Sequence, residues 1–418
     1  MARVLLASWG SVGDLFPSLA IADRLRELGH APVVATCPAY GELVAREGFD
    51  VRPLRPDVQP DDPALLARIV DPKRGSEVVI RELLVPALRD SVADLESAAA
   101  DADLIVSHPV TFAARIVAER RGLPWLSTVL APMSFFSPHD FPALPNAPGL
   151  SVLRRLGPWT GRAIMAMAHR STASWTAPVA AYRRDLGLPA AGDPLYEGQF
   201  SPHGTLALFS QAFGAPQPDW PDKTTVTGFP FFNRAIPMPE AVATFLDAGD
   251  PPVVFTLGSS AVHTAGTFWQ ESLAAVQALG RRALLLVGPD PARVRGTVSA
   301  SILAVDRAPH DQVFPRAAVI VHQGGVGTTG QALRAGRPQL VVPHAHDQFD
   351  NAQRVRERGL GRVLFSPQYT APRVLDVLRA LADDPACGTR ASTVAMQVRA
   401  EDGAGRAVAA ILEALGVR

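Results

Sequence analysis

Short, nearly unbroken apolar runs recur along this chain, each closed by a turn and most followed by a stretch with helical spacing. They fall at 3–8, 31–36, 51–54, 104–107 and 125–129, and again, past a proline-rich interval, at 253–257, 283–287, 302–305, 318–321, 339–342 and 362–365. Runs this short that do not alternate apolar with polar fit strands covered on both faces, and the helical stretches between them supply the cover. That combination restricts the fold to α/β with a doubly wound parallel sheet, and its occurrence in two halves predicts two such domains. The length agrees, since 418 residues exceed one core of about 150 residues.

The first unit reads strand, turn, helix. A glycine turn over Gly10–Asp14 follows the run at 3–8, Pro17 stands where a helix can open, and Gly29 stands where it can close. Between 132 and 204 the texture changes to clustered prolines with scattered Phe135, Phe136, Phe141, Trp159, Met165, Met167 and Trp175. This insertion reads either as packing helices with loops or as the wall of an apolar pocket. Residues 215–251 carry many prolines, include Thr227–Pro230, and are assigned to a linker. The expected organisation is an N-terminal domain over 1–214, the linker, a C-terminal domain over 252–392, and a tail over 393–418 that packs across the domain boundary. Within that tail one amphipathic helix is expected over 393–415.

Lys plus Arg number 40 and Asp plus Glu 40, so the formal net charge is zero. A protein that binds nucleic acid by neutralising phosphates carries a basic surplus, and this chain has none. With 47% hydrophobic and 19% charged residues it is globular rather than disordered. Cys37 and Cys387 are too few for a disulfide framework or a four-ligand metal site, which fits a reducing cytoplasm. The first apolar run gives way at once to polar and glycine residues, so no signal peptide is expected, and no later run approaches the about 18 apolar residues of a membrane span. Peripheral contact with a membrane stays open around Arg154, Arg155 and Arg162.

The stretch richest in chemistry runs from His322 to Asn351. It opens with His322, Gln323, Gly324, Gly325, Val326, Gly327, Thr328 and Thr329, and ends with His344, His346, Asp347 and Gln348. A strand that delivers the chain to a glycine loop opening a helix makes a diphosphate cradle: free amides and the positive end of the helix dipole face the anion, and glycine lets it approach. Asp347 beside Gln348 offers acceptors and donors to adjacent hydroxyls, as a sugar requires, although Asp347 equally suits a cap on the helix that follows. His344 and His346 have the spacing of a metal pair, with Asp347 and Asp350 the nearby further ligands.

Together with the run Ala308, Pro309, His310, Asp311 and Gln312, this stretch resembles the nucleotide-sugar signature of the GT-B family of small-molecule glycosyltransferases. Sparser matches lie at Gly10–Asp14 with Pro17 and at Thr256–Ser259. The likeness is to bacterial natural-product, rhamnosyl- and sterol-type members. It implies two Rossmann-like domains facing each other across a cleft. It also implies an inverting, metal-independent transfer from a UDP- or dTDP-sugar to a hydroxyl of an apolar acceptor: a natural product, flavonoid, sterol or lipid. The nucleotide sugar is substrate, and no resident cofactor is implied.

By the same resemblance, Ser259, His322, Gly324, Gly325, Gly327, Thr328 and Thr329 hold the diphosphate. Ala308, Pro309 and Gln312 border the base, and His346, Asp347 and Gln348 hold the sugar. Phe135, Phe136 and His139, in the insertion, are expected to contact the acceptor. Many relatives grip both ribose hydroxyls with a glutamate where this chain has Gly330. A deoxyribose nucleotide loses little by that absence, yet sterol-type relatives with a small residue there use UDP-glucose, so both nucleotides stay open.

Attack on an anomeric carbon also requires a base for the acceptor proton, and a placed base accelerates transfer by ~10²- to 10⁴-fold. Asp14 is the candidate, as in sterol- and glycopeptide-type relatives. Its bland alternative is an N-cap on a helix starting near Phe16. His108, at the end of the run 104–107, and His139 are candidate partners, and the rule that strand carboxyl ends carry ligands favours His108. Two rival functions fit the same architecture: a nucleotide-sugar epimerase and a non-catalytic nucleotide-sugar-binding helper.

Overall fold

The computed structural model describes residues 1–59, 62–145, 147–232, 237–288, 294 and 299–417. The chain divides into two compact units, Met1–Pro60 with Lys73–Phe232 and Glu401–Arg418, and Asp61–Pro72 with Asn233–Ala400. Each unit is built on its own parallel sheet, which is the doubly wound α/β fold the apolar runs predict.

The first sheet holds β1 (Arg3–Ser8), β2 (Ala31–Thr36), β3 (Asp50–Pro53), β4 (Leu104–Ser107), β5 (Trp125–Val129), β6 (Thr205–Ala207) and β7 (Thr224–Val226) in the order β3-β2-β1-β4-β5-β6-β7. Leu5 in β1 lies beside Val33 of β2 and Ile105 of β4. Every residue of β4 and β5 is buried, which is why these strands read as continuous apolar runs. Leu5, Ala7 and Val33 pack with Leu88, Val92 and Leu95 from the helix Leu88–Ala98 and with Ile116 and Val117 from Ala113–Arg121.

The second sheet holds β8 (Val253–Thr256), β9 (Ala283–Leu286), β10 (Ile302–Val305), β11 (Val319–His322), β12 (Gln339–Val341) and β13 (Gly361–Val363) in the order β10-β9-β8-β11-β12-β13. Its largest core gathers Phe255, Phe268, Trp269, Val321, Leu340 and Leu378. Residues 61–72 follow β3 in sequence but belong to this unit, a placement the local pattern does not announce.

Four local expectations change. The first helix opens at Val12, not near Pro17; Ser11 is its N-cap, and Asp14, at the third helical position, completes a capping box, so Asp14 is not itself the N-cap. Pro17 therefore sits inside the helix, where it lacks a donor to the preceding turn. The span 215–251, read as a linker, contains β7 of the first sheet and the helix Glu240–Asp247. In place of one helix over 393–415 there are two, Pro385–Ala400 and Gly403–Ala414. The break follows from Asp402, whose carboxylate accepts from Gly405 N at 2.9 Å and starts a new helix, and from Gly403, where any Cβ would strike the backbone of Phe229. The insertion is dominated by one 28-residue helix, Pro158–Asp185, preceded by the 3-10 segment Pro148–Leu156.

Candidate active site

In each sheet the chain builds outward on one side from its first strand, then crosses to build outward on the other. The crossing lies between β1 and β4 in the first sheet and between β8 and β11 in the second. Loops leaving the carboxyl ends of two such strands diverge and open a crevice, the usual ligand position in open α/β sheets. The sequence-predicted chemistry falls at both crossings: Asp14 follows β1, His108 follows β4, Ser259 follows β8, and the glycine loop follows β11.

At the first crossing the His108 amide donates to Ala7 O at 2.9 Å, fixing the end of β4 against β1. His108 Nε2 lies 3.5 Å from Asp14 Oδ1. The other carboxylate oxygen, Oδ2, accepts from Ser11 N at 2.7 Å and Ser11 Oγ at 2.8 Å. Gly10, at φ +145°, makes room for this: a Cβ there would stand 2.5 Å from Asp14 Oδ2. Burial works to raise the Asp14 pKa, but the hydrogen bond and charge of His108 and the bonds from Ser11 outweigh it. The carboxyl is held below its ordinary value and stays ionised. Its side chain remains 31% exposed, so the carboxylate is reachable from solvent.

A cavity of about 30 Å³, large enough for a water molecule or two, is lined by His108, Thr111, Arg115, Trp125, Arg183 and Gln199 among others. His108 Nδ1, Thr111 Oγ1 and Arg183 Nε and Nη1 are buried without a hydrogen-bond partner in the protein.

At the second crossing, β11 ends in His322 and the chain turns through Gly324, at φ +90°, to Gly325, the N-cap of the helix Val326–Ala335. A Cβ at Gly324 would lie 2.8 Å from Val341 Cγ1 and 3.1 Å from Gln348 O, so the loop packs too tightly there for any other residue. His322 is fully buried. Its Nδ1 accepts from Gly324 N at 3.1 Å, so Nε2 carries the proton and meets Gln339 Oε1 at 3.0 Å. Burial pushes the ring's pKa down to about 4, against the pull of Gln339, and the imidazole is neutral. With both nitrogens engaged, the ring braces the loop rather than presenting a free donor.

Asp347 Oδ2 accepts from Val326 N at 3.2 Å and from Asn351 Nδ2 at 2.7 Å, and Asn351 Nδ2 also reaches Gly324 O at 2.8 Å. Asp347 thus occupies the N-cap position of the helix Gln348–Glu357 but spends its carboxylate on the glycine loop, not on a cap. Gln348, itself buried, accepts at Oε1 from His344 N and Ala345 N at 2.8 and 3.1 Å. His346 stands beside them at φ +51°, half-buried. Thr329 Oγ1 bonds back to Gly325 O, and Thr328 Oγ1 lies at 3.4 Å from Gln323 Nε2. Exposed Gly327 and buried Thr328 stand in the first turn, where amides have no carbonyl to meet within the helix. Ser259 is exposed at the start of the short helix Gly258–Ala261, beside Gln323, which a Cβ on Gly258 would strike.

The profile of the erythromycin biosynthesis protein CIII-like C-terminal domain matches residues 273–415. Over 428 aligned residues the chain is 32% identical to the O-mycaminosyltylonolide 6-deoxyallosyltransferase of Streptomyces fradiae, spanning 98% of this chain and 97% of that protein. The chain belongs to the GT-B family of natural-product glycosyltransferases. The glycosyltransferase is also 29% identical to the vancomycin aglycone glucosyltransferase of Amycolatopsis orientalis, over 99% of this chain and 98% of that one. The crystal structure of the glycosyltransferase VinC in complex with dTDP superposes with a TM-score of 0.71 at 20% identity over 99% of both chains, which is the same fold.

In this glycosyltransferase the remaining expected residues divide. Pro309 caps the short helix His310–Val313, Ala308 is buried, and Gln312 is exposed. His310 stacks on Phe314 at 4.3 Å, and burial first, then neighbouring His322, hold its pKa down to about 4. Phe135 is a core residue, stacked on Trp220 at 3.8 Å and 7% exposed, so it offers no open wall to an acceptor. Phe136 is half-buried against Tyr196, and His139 is exposed in its loop; the partner that meets Asp14 is His108. Among the described residues no three His, Cys, Asp or Glu side chains form a metal-binding group.

Sequence reading missed several members of the site. Ser11 holds Asp14, and Gln339 and Asn351 hold His322 and Asp347. Tyr40 lies near enough to Asp14 that its hydroxyl, pushed up first by burial, is pushed further by that charge. Ser11 has a local signal, the spacing Ser-x-x-Asp. Asn351 lies one helical turn after Asp347, while Gln339 and Tyr40 carry no such signal, because sheet order, not sequence, brings them in.

Proposed function

We propose that this glycosyltransferase moves a deoxyhexose, with inversion at the anomeric carbon, from a dTDP-sugar to a hydroxyl of an apolar natural product. The single observation that carries the reading is the placement of an ionised, solvent-reachable Asp14, paired with His108, at one sheet crossing and of a glycine loop with open amides at the other. The 6-deoxyallosyl relative and the dTDP complex of VinC support the choice of donor. Gly330, buried in the helix Val326–Ala335, supports it too, since it offers no carboxylate to a second ribose hydroxyl.

In the reacting complex the acceptor oxygen and the anomeric carbon come within about 3–3.5 Å. Asp14 takes the hydroxyl proton as the new bond forms. A carboxylate of lowered pKa suffices because the proton moves late, after attack has made the oxygen acidic. His108 holds Asp14 Oδ1 in place while the carboxylate, on taking the proton, becomes neutral. The departing diphosphate is met by the amides of Gly327 and Thr328, the helix dipole and the Ser259 hydroxyl, where negative charge grows. His322 fixes the loop that carries those amides, while Asp347, Gln348 and His346 orient the sugar. Half-buried Phe136 serves the acceptor side. Neither a resident metal nor a cofactor enters the scheme, and the reaction is assigned to the cytoplasm.

The test is a matrix of dTDP- and UDP-sugars against hydroxylated polyketides, macrolides, flavonoids and sterols, read by mass spectrometry for a hexose or deoxyhexose increment and by NMR for anomeric configuration. Transfer from dTDP-deoxyhexoses giving a β-glycoside from an α-donor is expected. A product of retained configuration overturns the single-displacement mechanism, exclusive use of UDP-sugars overturns the donor, and sugar conversion without acceptor points instead to an epimerase.

A further inference from the structure

Between Asp140 and Asp185 the sequence holds no acidic residue and six arginines, at 154, 155, 162, 170, 183 and 184, in a chain whose net charge is zero. The same stretch holds the main apolar exposure of the molecule. Of the nine exposed large hydrophobics among the described residues, five lie here: Leu150, Val152, Leu156, Trp159 and Met167, each 38% to 65% open. Scattered exposed apolar side chains are ordinary; five within 18 residues, in a stretch whose charged residues are all arginines, mark a contact surface.

The folded chain holds this surface in shape. Pro148–Leu156 forms a 3-10 segment, Gly157 turns it, and the helix Pro158–Asp185 follows. Thr160 Oγ1 bonds Leu153 O and Gly157 O at 3.0 and 2.7 Å, tying segment to helix. Gly161 packs directly on the backbone of Pro138, and Ile164 and Met165 bury against Phe141. Two of the six arginines are turned inward: Arg154 bonds Phe141 O, and Arg183 pairs with Glu119. Arg155, Arg162 and Arg170 point to solvent and form no ion pair among the described residues. Trp159, Arg162, Met167 and Arg170 recur at spacings of three to five along one helix, so apolar and cationic groups share its outer face.

We propose that this face docks on an anionic phospholipid surface, with Leu156, Trp159, Val152 and Met167 entering the interface and Arg155, Arg162 and Arg170 meeting the headgroups. Exposed aromatic and aliphatic groups bordered by arginines are the chemistry of interfacial helices, and the nearest carboxylates, Asp193 and Glu197, lie 3.9 Å from His169 while Asp140 lies 3.6 Å from Arg154. A second copy fits poorly, because a two-fold pair over this face would set each arginine cluster against its twin. The inference concerns the surface alone and does not depend on the donor or acceptor assigned above.

The full chain is mixed with vesicles of phosphatidylcholine containing 30 mol% phosphatidylglycerol, and with vesicles of phosphatidylcholine alone, and sedimented at low and high salt. Binding is expected for the anionic vesicles, weakening with salt. Arg155→Gln, Arg162→Gln and Arg170→Gln should each weaken it by about fivefold, and Leu156→Ser with Trp159→Ser by tenfold or more. These side chains are exposed, so folding is checked by circular dichroism. As a measurement on the unaltered surface, brominated lipid should quench tryptophan fluorescence, and Trp159→Phe should remove that quenching. Absence of binding to anionic vesicles, or binding unchanged in the variants, overturns the proposal. So does a concentration-dependent dimer abolished by Leu156→Ser with Trp159→Ser, or association with an acidic protein that competes with vesicles for this face.

Discussion

Asp14 Oδ1 and His108 Nε2 stand 3.5 Å apart across the boundary between β1 and β4, although 94 positions separate them in sequence. Asp14 lies in the first turn of the helix that follows β1 and His108 lies just past the end of neighbouring β4, and Ser11 anchors the carboxylate from its other side. The carboxylate therefore has a defined orientation before any substrate arrives.

Asp14→Asn should lower kcat by roughly 10²- to 10⁴-fold while calorimetric affinity for dTDP stays unchanged. The substitution also removes an acceptor from the capping box, costing about 1 kcal/mol. Because the folded-state pKa of Asp14 lies below its unfolded value, that contribution is full above the unfolded value and is lost as pH falls through the folded one. Melting curves of the two proteins should therefore converge in strong acid, and a constant difference at all pH values would contradict the pairing.

Gly10→Ala places a methyl against Asp14 Oδ2, and Gly258→Ala places one against Gln323 in the second unit. Both positions also have positive φ, +145° and +65°, which alanine tolerates poorly. Gly10→Ala should reduce kcat with dTDP binding intact, whereas Gly258→Ala should weaken dTDP binding. Titration calorimetry beside steady-state kinetics separates the two, and identical defects in both variants would mean simple misfolding.

Gln339→Leu leaves the buried His322 Nε2–H without an acceptor, at a cost of about 1–3 kcal/mol. Binding of dTDP should weaken with it, since His322 Nδ1 holds the Gly324 amide. Gln339→Glu should instead raise the His322 pKa, visible as a shifted imidazole titration by NMR.

Three histidines, His310, His322 and His344, are held down to about 4 by burial, against an ordinary 6.5. As pH falls from 6.5 to about 4 the unfolded chain takes up protons at these sites and the folded chain does not. Stability therefore drops through that window, by up to about 1.4 kcal/mol per pH unit for each histidine. Denaturant melts at pH 7.5 and 5.5 should show the loss, and His310→Phe, which keeps an aromatic ring beside Phe314, should reduce it. Equal acid sensitivity in that variant would show that His310 protonates in place.

What the amino-acid order determined by itself is local. Buried parallel strands are continuous apolar runs, so both sheets were visible apart from β6 and β7, three-residue strands too short to carry a pattern. The glycine loop was visible because its turn and the helix it opens are written in consecutive residues. Sheet order decided the rest. It joined His108 rather than His139 to Asp14, set Gln339 of β12 beside His322 of β11, and sealed Phe135 against Trp220. Such pairings arise where strands far apart in sequence become neighbours, and no spacing along the chain encodes that adjacency.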